Sequence, residues 1–337
     1  MHYKFPRFVP TTSSFRLPTR DRHSRHVWDC RHGRVLLYDY DLDSPTQGFV
    51  VWDPITGDQH HGLDVPDVYR NGAVICTAAG CDHHRGCIPG GPFIVAFAGV
   101  ERIEEYGCSR DAHADFYSSE TGRWSHRVDS IHLDDNKFDL EVDRPAALVG
   151  DSLYFVANKS GFLLRFWYGP LLRWPGYQEM RDAGIRSRDI LTVIEPPLKK
   201  GLGKVIVMTA EGGGLGLACL NLNRIALWAR ENNTAGPKGD ADVWVKRRTI
   251  DLRKLIPLAN PKRRPCLSGV IPGDASVIFV STEDGVVFKI ELEQSLQARK
   301  VSDMGTDDVK IIYPFVSFYT ETLLQRLASG KAPAGSM

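Results

Sequence analysis

Residues 49–57, FVVWDPITG, recur in kind at 115–124, DFYSSETGRW. Each reads as an apolar strand that runs into a tight turn and leaves as a polar strand. Setting Gly57 on Gly122 gives an offset of 65 residues. Glycine is needed where a hairpin turn takes a positive φ, and Asp, Ser and Thr close such turns through their own oxygens. A second phrase, AALVGDSLYFVA at 146–157, returns as VIPGDASVIFVS at 270–281. Here Gly150 falls on Gly273, an offset of 123 residues, close to twice the first. Two independent phrases therefore imply one period of roughly sixty residues, built from antiparallel hairpins.

Short apolar runs fill the rest of the chain, among them 34–40, 93–99, 191–194, 204–209, 217–220, 224–229, 244–250 and 285–291. Gly, Asp and Asn turns separate them, and long helical periodicity is absent. This is an all-β pattern, sandwich or propeller. A long repeat holding about four strands favours the β-propeller, whose usual repeat is ~40–50 residues, with the excess in loops. Dividing the chain by this period predicts six four-stranded blades, with seven as the alternative. Residues 1–22 are expected to lead in, 23–319 to form the propeller, and 320–337 to hold a short C-terminal helix and a polar tail. Closure is expected to pair 15–18 with 316–319.

A length of 337 residues, 42% hydrophobic and 25% charged, allows a large core. The net charge of +1 gives no overall pull towards nucleic acid or an acidic membrane. The seven Cys are odd in number, and the opening MHYKFPRFVP has no apolar centre. Both point to reduced thiols in the cytoplasm, the nucleus or both. No apolar run approaches the ~20 residues of a spanning helix.

Few stretches suggest chemistry. Cys76, Cys81, His83, His84 and Cys87 are of zinc-ligand type, but they contain no C-x-x-C pair and fit no standard zinc module; a loop with buried Cys and exposed His is the preferred reading. SSETGRW approaches the Asp-box turn of sialidase propellers, with Glu120 for Asp and one residue missing; it reads as a turn with Trp124 packed between blades. The run 212–216, GGGLG, precedes a strand and not a helix, so it reads as a turn and not a phosphate loop. The basic residues Lys246, Arg247 and Arg248, with Arg253-Lys254 and Lys262-Arg263-Arg264, read as a solvated face. Asp134-Asp135 and Asp307-Asp308 point to opposite sides of a strand, which disfavours a shared acid–base role. No catalytic residue, metal or cofactor is expected.

The segments PRFVPTTSSFRLP, DCRHGRVLLYD, VVWDPITGD, DFYSSETGRWS, LVGDSLYF, LTVIEPP, DVWVKRRTIDL and VSFYT together resemble the F-box proteins of grasses, in their F-box-associated β-propeller region. The resemblance runs from about Pro6 to Tyr319. It implies a non-enzymatic propeller that presents a protein substrate to a cullin–RING ubiquitin ligase. In that family an N-terminal F-box docks a Skp-type adaptor. No F-box is visible here, so adaptor and cullin are expected as partners only where one is supplied. Residues 166–188 are longer and more aromatic than the family pattern, either as a recognition loop or as sequence that packs poorly. Aromatic residues dominate protein-interface hot spots. The candidate protein-binding residues are therefore Trp167, Tyr168, Trp174 and Tyr177, with His83 and His84 in the earlier loop. The alternative is a glycan-binding or hydrolytic propeller, which requires acids converging on the central channel.

Overall fold

The computed structural model describes residues 25–39, 48–63, 65, 69–79, 87, 90–102, 110–125, 131–133, 140, 144–157, 162–173, 177–197, 204–233, 241–258, 265–293, 295–303 and 311–315. They form five antiparallel meanders in chain order. Blade 1 holds β1 (Arg25–Arg31), β2 (Arg34–Asp39), β3 (Gly48–Trp52) and β4 (Gln59–Leu63). Blade 2 holds β5 (Tyr69–Cys76), β6 (Phe93–Arg102), β7 (Arg110–Ser118) and β8 (Arg123–Trp124), and β9 (Ile131–Leu133) also pairs with β7. Blade 3 holds β10 (Ala147–Val149), β11 (Ser152–Val156), β12 (Leu163–Trp167) and β13 (Leu191–Ile194). Blade 4 holds β14 (Lys204–Thr209), β15 (Leu215–Asn221), β16 (Arg224–Asn233) and β17 (Ala241–Asp251). Blade 5 holds β18 (Cys266–Val270), β19 (Val277–Ser281), β20 (Val286–Glu291) and β21 (Gln297–Asp303). First strands meet first strands between neighbouring blades, β1 with β5, β10 with β14 and β14 with β18, so the first strand of each blade is innermost. This is a β-propeller with very little helix.

Both repeated phrases fall at equivalent positions. Gly57 and Gly122 close the turns between third and fourth strands in blades 1 and 2, at φ 81° and 64°. Gly150 and Gly273 turn between first and second strands in blades 3 and 5, at φ 59° and 77°. One offset thus spans one blade, and the doubled offset spans two. In the first turn Asp53 Oδ1 accepts from Ile55 N at 2.8 Å and Thr56 N at 3.2 Å, and Gly57 N donates to Asp53 O at 2.9 Å.

The blade number corrects the expected six or seven: the described residues make five. Division of the whole length by one period counted connectors as blade. The sheets span 25–303, and a helical excursion between β12 and β13 takes up part of that length. The closing pair 15–18 with 316–319 and the helix at 320–328 lie outside the described residues. The neighbouring segment 311–315 seats between blade 5 and blade 1. Ile312 N donates to Ser268 O at 2.6 Å, and Tyr313 and Phe315 pack against Cys30, Val35, Leu37, Val50 and Trp52 of blade 1. Gly269 permits this approach, because a Cβ there would collide with the Ile312 carbonyl.

The core is a series of interfaces between sheets. Separate apolar clusters fill the contacts of blades 1 and 2, 2 and 3, 3 and 4, and 4 and 5. Strands buried on both faces read as continuous apolar runs, as in β3 and β11, where every residue is buried. Between blades 1 and 2 the cluster is aromatic. Phe49 lies 5.3 Å from both Phe97 and Tyr117 and 6.3 Å from Trp124, centroid to centroid.

Gly62 faces Phe49 directly across the β3–β4 pair, and a Cβ at Gly62 would enter the Phe49 ring. Gly62→Ala is expected to displace that ring and cost about 1–3 kcal/mol of stability in urea unfolding. An unchanged midpoint would show that Phe49 has room to move.

Candidate functional site

In every meander the first-to-second and third-to-fourth connections emerge at the same end of the sheet. This end carries the β1–β2 hairpin, the β5–β6 connection, the Gly150-Asp151 turn and the excursion after β12. Their contacts place them on one face of the ring. Arg34, at the start of β2, donates to Gly91 O at 2.7 Å, just before β6. Tyr168, at the end of β12, feels the charges of Asp151 and of Arg31.

At the inner edge of this face lies a buried ion pair. Arg31 Nη2 donates to Asp29 Oδ1 at 2.9 Å, and Arg31 Nε lies 2.6 Å from Asp29 Oδ2. Asp29 Oδ2 also accepts from Val74 N of blade 2 at 2.9 Å. Arg31 Nη2 further donates to Ala146 O, at the entrance to blade 3. Two residues of β1 thus tie three blades together. Burial pushes the Asp29 carboxyl above its ordinary range, against the pull of Arg31 and of the Val74 and Cys30 backbone N–H groups. Both carboxylate oxygens are engaged, so Asp29 serves as a latch and is not free to act as a base or a sugar ligand.

The excursion between β12 and β13 holds α1 (Gly169–Arg173), α2 (Tyr177–Asp182) and α3 (Ser187–Ile190). It packs well. Tyr168, Met180 and Ile190 are buried in the cluster between blades 2 and 3, with Ile185 packed against it. Gly184, at φ 79°, turns the chain after α2, and Asp189 Oδ2 accepts from Arg186 N at 2.9 Å. The outer side is exposed: Leu172 at 44%, with Arg173, Glu179, Arg181, Asp182 and Arg186.

Of the candidate binding residues, Trp167 is partly buried, and the Arg165 guanidinium lies 5.5 Å from its ring centre. Tyr168 is 8% exposed and belongs to the core. Its hydroxyl is pushed up to about 12 by burial and by Asp151, with Arg31 opposing, so it stays protonated at neutral pH. Tyr177 opens α2; Trp174, His83 and His84 lie outside the described residues. Of the residues weighed for zinc, Cys76 is buried and Cys87 partly exposed, and Cys81 also lies outside; no metal-ligating group of three occurs among the described residues. In the basic run Lys246 and Arg247 are exposed, the first 6.0 Å from the Trp228 ring and the second paired with Glu231, while the half-buried Arg248 donates from Nη1 to Leu292 O of blade 5 at 2.7 Å. Sequence reading missed Asp29, Arg31 and Arg34. Their available signal was the alternation of Asp29 and Arg31 after the apolar Val27 and Trp28, which puts both on one side.

No family model matches the chain, and no curated protein does. Among solved structures, the WD40 domain of SCAP from fission yeast is similar at 12% identity and a TM-score of 0.37, over 86% of this chain and 58% of that one. Raptor from Chaetomium thermophilum is similar at 11% identity and a TM-score of 0.35, over 82% of this chain and 24% of that one. The chain therefore spans less than two thirds of either. No helix among the described residues is long and apolar enough to cross a membrane.

Replacing Arg31 with Met strands a buried carboxylate. Arg31→Met is expected to lose about 3–5 kcal/mol in urea unfolding at neutral pH, and the Asp29→Asn/Arg31→Met double variant less. The pH dependence has a defined sign. Removing Arg31 takes away a pull that lowers the Asp29 pKa, so folding raises that pKa further. The folded single variant then holds its proton more tightly than the unfolded chain does. Its stability should be greatest at acidic pH and fall as pH rises through the folded-state pKa. Equal losses in single and double variants at every pH would contradict the latch.

Proposed function

We propose that this chain is a non-enzymatic protein-binding module that meets its partner on the hairpin face, through the helical excursion of residues 169–190. The observation that carries this reading is the two-sided character of the excursion. Tyr168, Met180 and Ile190 fix it to the core, while Leu172 and five charged residues face outward. An anchored segment loses little entropy on binding, which favours recognition. An exposed leucine among exposed charges suits a protein surface with an apolar centre and a polar rim.

The resemblance to F-box-associated propellers extends the proposal: the partner is a protein substrate brought to a ubiquitin ligase. Skp-type adaptor and cullin then join only through an F-box, supplied in the same polypeptide or by fusion. The glycan-binding or hydrolytic alternative loses support from Asp29, whose two oxygens are held by Arg31 and Val74.

The test is capture by the tagged chain from native extract, with quantitative mass spectrometry, against a Leu172→Asp/Arg181→Glu variant. Both changes lie on exposed positions, so the thermal midpoint should stay within a degree or so. A specific protein is expected to copurify with the parent chain and to fall about tenfold or more with the variant. An F-box fusion should add Skp-type adaptor and cullin to the eluate. The same proteins in the same amounts from parent and variant would remove the excursion from the binding site.

A further inference from the structure

We propose that the hairpin ends of blades 1 and 2 form a binding site for a small oxyanion, a phosphate or carboxylate group, held by Arg31, Arg34 and Thr77. Arg31 and Arg34 are direct partners that close the β1–β2 pair. Opposed residues present their side chains on the same side, with Cβ atoms about 4.5–5.5 Å apart. Both are buried, at 5% and 6% exposure. Two arginines paired across a hairpin and buried in a protein interior lose hydration, so such a placement calls for compensation.

The protein supplies only part of it. Arg31 uses Nη2 on Asp29 and Ala146, and its Nε faces Asp29. Arg34 uses Nη2 on Gly91 O at 2.7 Å, with its guanidinium 5.1 Å from the Phe93 ring centre. Among the described residues, Arg31 Nη1 and Arg34 Nη1 are buried and have no hydrogen-bond partner. A third such atom is Thr77 Oγ1, at the end of β5. Thr77 follows β5, and its N–H donates to the carbonyl of Pro92 at 3.0 Å, the residue after the Gly91 that Arg34 holds.

The three atoms define the missing group. Two are cationic donors, and the third can donate as well. What is absent is an acceptor. Asp29 balances Arg31, and among the described residues no carboxylate is in contact with Arg34, so the acceptor should be negative. A water molecule would satisfy a donor but leave the second charge uncompensated. Guanidinium nitrogens and a hydroxyl converging on an oxyanion form short, charge-assisted bonds, which matches the need. The excursion of residues 169–190 takes no part, so this site and the protein-binding reading stand or fall separately.

The test is the thermal midpoint of the full chain titrated with sodium phosphate or sodium acetate, against sodium chloride at matched ionic strength. Thr77→Val and Arg34→Lys are compared with the parent. Thr77→Val keeps the shape and removes only the hydroxyl, so it reports even if the arginine variant fails to fold. A saturable rise is expected with at least one oxyanion, and its apparent affinity should weaken about tenfold in each folded variant. A rise with phosphate alone assigns a phosphate group, a rise with acetate alone a carboxylate, and a rise with both an unselective oxyanion site. No saturable rise with either overturns the proposal. An equal rise in parent and variants also overturns it, since that is general salt stabilisation.

Discussion

The ring depends on polar groups that reach from one innermost strand to the next. Asp29 accepts from Val74 N between blades 1 and 2. Asn71 donates to Arg144 O, and Arg144 donates in turn to Val205 O, linking blades 2, 3 and 4. Lys204 meets the Cys266 thiol at 3.0 Å between blades 4 and 5, and Ile312 binds Ser268 beyond. The apolar faces between blades supply most of the stability, because burial scales with area. Apolar contact is non-directional, however, and flat sheet faces can slide over one another. Hydrogen bonds contribute about 1 kcal/mol each, but they have direction and fix the relative height of neighbouring blades.

Local features of this architecture were legible in the sequence because they are set by neighbours along the chain. The strands expected at 191–194 and 204–209 coincide with β13 and β14, and Gly212 and Gly213 take φ 93° and 86° in the turn expected there. The blade number was not legible from a period. First strands begin at residues 25, 69, 147, 204 and 266, and that spacing is uneven because connectors and strand lengths both vary. The ion pair was hidden for a different reason. Arg31 finds Ala146 at a separation of 115 residues, and no local pattern records such a partner. Asp29 and Arg31 stood in view within the phrase DCRHGRVLLYD, where they read as strand and turn.

Residue type alone also failed to separate surface from interior. Tyr168 and Trp167 are adjacent aromatics, yet the first is core and the second partly exposed. The alternation of a strand end decides this, together with the charges around the hydroxyl. Lys246, Arg247 and Arg248 show the converse. The three cations read as one solvated face; Lys246 and Arg247 are exposed, beside a ring and a carboxylate of their own blade, whereas Arg248 is half-buried against a carbonyl of the next blade. Arg248 ties two blades together at the rim, as Asp29 and Asn71 do near the axis.

The position of the helical excursion follows from the same geometry. In blade 3 the connection nearest the axis is the tight Gly150-Asp151 turn. The third-to-fourth connection lies at the rim, where chain can be added without crossing the inner strands. Its root is nonetheless tied inward: Tyr168 N donates to Asp151 O at 3.2 Å. The chain then passes so close to Asp151 that a Cβ on residue 169 would lie 2.5 Å from the carboxylate, and Gly169 occupies that place. Residue 169 is thus a glycine because of close approach and not because of a turn. The excursion inherits its orientation from the inner turn of its own blade, to which Tyr168 and Gly169 hold its root.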